Sequence, residues 1–108
     1  MPVTDLSSEE FDRFPAEHPA AAIYVFTPTC GPCRAMGPAI ERVAARFEGR
    51  IAFGKFDVEP MDRRDKVRGL FGALAIPQLH LYRDGRLVQK LFGGRSESSI
   101  ADLVEDLL

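Results

Sequence analysis

The sequence predicts an α/β domain built on a mixed sheet. Three observations lead there. Short β-forming runs alternate with helical patterns in the order β-α-β-α-β-α-β-β-α. The early connections are long enough to hold a helix, so the first strands are expected to run parallel. The last two strands are separated by Asp84-Gly85, a two-residue hairpin signal that adds an antiparallel edge. About five strands and about four helices result, with helices on both faces of the sheet. The 108 residues fit one domain, 1–108, and a chain of this size buries about two-thirds of its unfolded surface.

Each element has a local reason. Val3-Thr4 reads as a short edge strand. Ser7 and Glu10 form a capping-box pattern, and Leu6 with Phe11 a hydrophobic staple, so a helix starts there. Pro15 and Pro19 end it. Residues 21–27 read as a buried strand. Residues 31–48 read as a helix, with apolar residues at Met36, Ile40, Val43, Ala44 and Phe47. Pro38 inside it deletes one backbone bond, and Gly49 suits the exit. Ile51 to Val58 reads as a second central strand. Asp62-Arg63-Arg64-Asp65-Lys66 opens a helix running to about Gly72, and its charges read as a solvated face. Gln78 to Tyr82 and Leu87 to Phe92 are the hairpin strands. Ser96 caps a last helix whose stripe is Ile100, Leu103, Val104, Leu107 and Leu108.

Composition narrows the function classes. The chain is 45% hydrophobic and 28% charged, with a net charge of −2. No basic surface argues for nucleic acid or a membrane. No run approaches the ~20 apolar residues of a membrane span. The start, Met1 to Leu6, has neither a basic segment nor an apolar one of secretory type. A cytoplasmic location is therefore expected, where a disulfide is transient and catalytic.

The two cysteines, Cys30 and Cys33, stand in Cys30-Gly31-Pro32-Cys33, between a strand pattern and a helix pattern. On a helical turn their Cβ atoms lie about 5–6 Å apart, near disulfide range. The first thiolate faces the free N–H groups and positive end of the helix, which lowers its pKa from about 8.5. Pro32 fits the first turn, where its missing N–H matters little. Zinc usually takes four ligands. The chain has no third cysteine, and His18 and His80 show no ligand spacing, so no metal site is expected. His80 and Tyr82 read as residues of a strand core.

Thr29-Cys30-Gly31-Pro32-Cys33-Arg34, Pro38 in the next helix, Ile76-Pro77 before a strand and Asp84-Gly85 in a hairpin together resemble the thioredoxin family. The resemblance spans nearly the whole chain. It implies a thioredoxin fold and a thiol-disulfide oxidoreductase that reduces protein disulfides without a bound cofactor. It implies Cys30 as the attacking thiolate and Cys33 as the resolving thiol, with Gly31 and Pro32 tuning the pair. It implies a cis bond at Ile76-Pro77, whose backbone pairs with an extended substrate, and Gly93 as a residue that keeps the rim low. Its partners would be disulfide-containing proteins and a thioredoxin reductase, and the chain would act as a monomer.

Three positions depart from the family pattern. Tyr24 stands where the family has a buried aspartate that helps move the resolving cysteine's proton. Tyrosine has a pKa near 10 and is a poor base at neutral pH, although a hydrogen bond through water stays open to it. Lys55 matches the lysine that accompanies the aspartate, and Tyr24, Asp57 or solvent is expected to receive it. Thr29 replaces the tryptophan before the first cysteine, and Pro28 precedes it. The chain has no tryptophan, and Phe26 takes the family's other tryptophan position. The apolar rim around Cys30 should therefore be smaller. Two other readings remain open: a redox or chaperone module serving one dedicated partner, and an oxidase or isomerase of an oxidising compartment.

Overall fold

The computed structural model describes residues 2–72 and 75–108. The strands are β1 (Val3–Asp5), β2 (Ala20–Phe26), β3 (Ala52–Asp57), β4 (Gln78–Arg83) and β5 (Arg86–Phe92). The helices are α1 (Ser8–Arg13), α2 (Gly31–Arg46), α3 (Met61–Phe71) and α4 (Glu97–Glu105), with a 3-10 turn over Phe14–Glu17. The expected order of elements is the observed one, within a residue or two at most ends. The stripe of the last helix is the clearest difference. The helix stops at Glu105, so Leu107 is buried beyond its end while Leu108 is exposed.

The sheet order is β1-β3-β2-β4-β5. β1 and β2 flank β3 in parallel, and β4 runs antiparallel to both β2 and β5. Alternation along each strand sorts the core. Ala22, Tyr24, Phe53, Leu79 and Leu81 meet α2 and α4 on one face. Ala21, Ile23, Val25, Phe56 and Tyr82 meet Phe11, Phe14 and Val67 on the other. β2 is therefore buried on both sides and reads as one apolar run rather than an alternating one. Gly54 suits this close packing: a Cβ there would stand 2.6 Å from Leu6 Cδ1 and 3.3 Å from the Phe14 ring, so the Leu6 side chain would have to shift.

The caps follow the local sequence. Ser7 and Glu10 exchange both bonds of a capping box, Glu10 N–H to Ser7 Oγ at 3.1 Å and Ser7 N–H to Glu10 Oε1 at 2.9 Å. Asp84 and Gly85 both take positive φ, at 53° and 80°, which is the geometry a two-residue hairpin needs. β5 is an edge strand with Leu87, Val88 and Phe92 exposed, and its pairing with β4 is irregular at Leu81/Tyr82.

The charged start of α3 is more than a solvated face. Arg63 donates to Asp57 O at 3.1 Å and Arg64 to Val58 O at 2.8 Å. Lys66 donates to Ser8 O and to Asp12 on α1. These side chains tie α3 to the end of β3 and to α1. No described helix is long and apolar enough to cross a membrane.

Candidate functional site

The site forms at the carboxyl end of β2, the central strand. α2 leaves that end and packs over one face on the way to β3, while α3 leaves the neighbouring end of β3 and packs over the other on the way to β4. Such crevices are where open α/β sheets place their ligands. Cys30 is the N-cap residue of α2 in extended conformation, and Gly31 and Pro32 form the first helical turn. Cys30 Sγ accepts the Cys33 N–H at 3.2 Å. The two sulfurs are bonded as a disulfide, with Cα atoms 5.2 Å apart. Cys30 sits half-buried at the rim, whereas Cys33 is 4% exposed. In the reduced protein the helix N-terminus favours a thiolate at Cys30.

The residues around the pair come from the loop just before Cys30 and from segments distant in sequence. Thr29 is exposed beside Cys30. Ile76-Pro77 is a cis peptide, with Ile76 half-buried and Pro77 buried. A groove of about 340 Å³ is lined by Thr27, Thr29, Cys30, Val58, Arg64 and Ile76. Gly93 has φ +90°, a conformation that favours glycine, and its N–H donates to Pro77 O at 2.9 Å. Pro77 has no N–H and its carbonyl is already bonded.

Tyr24 and Lys55 lie on the inner side. They are register partners on β2 and β3. The Tyr24 hydroxyl donates directly to the Cys33 carbonyl at 2.9 Å, with no water between. Its ring stacks on Phe26 at 5.1 Å and 2°. Burial pushes the phenol up to about 12, so it stays protonated. Lys55 reaches neither Asp57 nor the phenol; its ammonium stands 3.9 Å from Asp5 Oδ1. The parallel pairing of β1 with β3 sets Asp5 opposite Lys55 and decides the partner. A cavity of about 210 Å³ lies behind Cys33, lined by Tyr24, Cys33, Arg34, Ile40, Glu41 and Lys55.

Sequence reasoning left two residues of this neighbourhood unnoticed. Glu41 follows Cys33, Gly37 and Ile40 at helical spacing, so a half-buried glutamate at the edge of the apolar stripe of α2 was the available signal. Arg64 was hidden in a charge run, and only the tertiary fold carries it to the groove.

The chemistry of the site is legible without any comparison. A rim sulfur at a helix N-terminus and a buried sulfur within bonding reach make a reversible dithiol. Known proteins agree. The Thioredoxin family model matches residues 2–106. The thioredoxin of Staphylococcus aureus is 26% identical over 105 residues, 97% of each chain. The oxidized mitochondrial thioredoxin 3 of Saccharomyces cerevisiae superposes with a TM-score of 0.81 at 24% identity, over 97% of this chain and 95% of that one. The oxidised thioredoxin of Plasmodium falciparum gives 0.80 at 26% identity, over 96% of each. With CGPC at the carboxyl end of the central strand and this match along almost its full length, the chain belongs to the thioredoxin family and is a thiol-disulfide oxidoreductase.

Proposed function

We propose that the protein is a general reductant of protein disulfides, with Cys30 attacking and Cys33 resolving. The observation that carries this is the unequal burial of the two sulfurs. Cys30 is half-buried at the rim and Cys33 is 4% exposed, so a bulky protein disulfide meets Cys30 first. The Cys30 thiolate attacks one substrate sulfur, a mixed disulfide forms, and the other substrate sulfur leaves as a thiolate. The Cys33 thiolate then attacks Cys30 Sγ. The mixed disulfide breaks, the Cys30-Cys33 bond forms, and two electrons have passed to the substrate. Ile76 offers its backbone to an extended substrate segment, while Thr29 and Gly93 set the height of the rim. Gly31 and Pro32 hold the ring that the two cysteines close. A thioredoxin reductase restores the dithiol. We take 1–108 as one domain, acting as a monomer in the reducing cytoplasm.

Arg64 supports a narrower second reading. It lines the groove beside Cys30 with its Nε held by Val58 O, and it suits a dedicated partner with an acidic residue near its disulfide. Dithiothreitol-driven reduction of insulin, followed by turbidity, separates the two. The general reading expects clear acceleration, lost in Cys30→Ser, and mixed disulfides trapped from lysate by Cys33→Ser. Folded, fully reduced protein that gives no acceleration overturns it in favour of the dedicated partner.

A further inference from the structure

The cavity behind Cys33 holds a group that neither the core nor the two sulfurs account for. Glu41 lies on α2, two turns and a little beyond Cys33, and lines the same cavity. Its Oε1 atom is buried and has no hydrogen-bond partner among the described residues. A buried carboxylate oxygen without a donor is unfavourable. The cavity has about 210 Å³, room for more than one water, so cavity water is the natural donor.

Resolution creates a need for such a group. Cys33 reacts only as a thiolate, and a thiol 4% exposed has poor direct access to bulk water. The titratable or charged side chains lining the cavity are Tyr24, Arg34, Glu41 and Lys55. Tyr24 holds its proton, pushed up to about 12 by burial, and already spends it on the Cys33 carbonyl. Arg34 is a donor only, and the Lys55 ammonium faces Asp5. Glu41 supplies the only carboxylate among the lining residues.

We infer that Glu41 is a positioning residue for the second half of the exchange: through cavity water its carboxylate receives the proton of Cys33. The inference rests on Cys33 being the resolving thiol proposed above. In balanced form, the Cys33 S–H bond breaks and its proton passes by water to Glu41. The Cys33 thiolate attacks Cys30 Sγ, and the mixed disulfide breaks as the Cys30-Cys33 bond forms. The departing substrate thiolate takes up a proton from solvent, and Glu41 returns its own. The carboxylate therefore comes from the helix that carries the cysteines, while the adjacent strand contributes only the Tyr24 hydroxyl.

The test is a single turnover of the reduced full chain with 5,5′-dithiobis(2-nitrobenzoate), followed by stopped-flow absorbance. Attack by Cys30 releases a first chromophore, and resolution by Cys33 releases a second. In Glu41→Gln the first phase is expected to match wild type. The second is expected to slow about tenfold near pH 7. The gap should close above about pH 9, where a thiol ionises without help. Glu41→Asp should recover part of the rate. A second phase in Glu41→Gln equal to wild type at every pH overturns the inference. Equal slowing at every pH also overturns it, because that marks a packing defect. Wild-type protein that releases only the first chromophore overturns the role of Cys33 itself, an outcome distinguishable from failure at Glu41.

Discussion

Acidification should destabilise this protein through one side chain, His80. It is fully buried on β4, with its ring centroid 4.1 Å from that of Phe71 and 6.3 Å from that of Phe11. Nε2 lies 2.8 Å from Gln78 Oε1, and Nδ1 is buried without a hydrogen-bond partner among the described residues. Burial pushes the imidazole down from 6.5 to about 4, and the charge of Lys90 on β5 adds to this. The unfolded chain therefore binds a proton that the folded one refuses. The stability that follows is intact above about pH 6.5 and lost as the pH falls toward 4. At about 1.4 kcal/mol per pKa unit, the loss approaches about 3 kcal/mol. A domain of this size holds about 5–15 kcal/mol in all. Urea unfolding of wild type and His80→Leu between pH 7 and about 4 isolates the term, since every carboxylate titrates in both. Wild type should lose about 3 kcal/mol more than the variant over that range. Parallel pH profiles would refute the reasoning and mean that the protonated ring is accommodated.

Smaller substitutions probe the site and its frame. Tyr24→Phe removes the bond to the Cys33 carbonyl and should lower unfolding free energy in urea by about 1 kcal/mol; no change would mean that water replaces the hydroxyl. Gly93→Ala forces a Cβ onto φ +90°, with no neighbour to clash. It should therefore show backbone strain alone, about 1–2 kcal/mol in the same assay. Ser96→Ala removes the N-cap of α4, where Ser96 Oγ accepts the Ser99 N–H at 3.2 Å, and should cost about 1 kcal/mol by thermal unfolding.

Much of this was readable in the chain because local chemistry decided it. The capping box at Ser7, the hairpin at Asp84-Gly85 and the placement of Cys30 at a strand-to-helix junction each follow from a few adjacent residues. What escaped depends on neighbours distant in sequence. Lys55 takes Asp5 because β1 happens to pair with β3. The charges at 62–66 look solvated until the carbonyls of Asp57 and Val58 stand beside them. Tyr24 binds a backbone carbonyl nine residues away, a contact that no spacing rule reports. Glu41 differs, since its place at the edge of an apolar stripe was visible, and only the lack of a partner for its Oε1 among the described residues was not.

The edge strand β5 has a consequence for how the protein behaves in crowded solution. It leaves one row of N–H and C=O groups unpaired, and Leu87 and Val88 are about half exposed beside them. A free edge of that kind is a template for a second chain. Here the irregular pairing at Leu81/Tyr82 twists the ribbon away from flatness. Arg86 and Lys90 would also bring like charges together in any edge-to-edge stack. Colloidal stability at this edge thus rests on shape and charge in spite of its apolar side chains, and the charge contribution weakens as salt shortens the screening length.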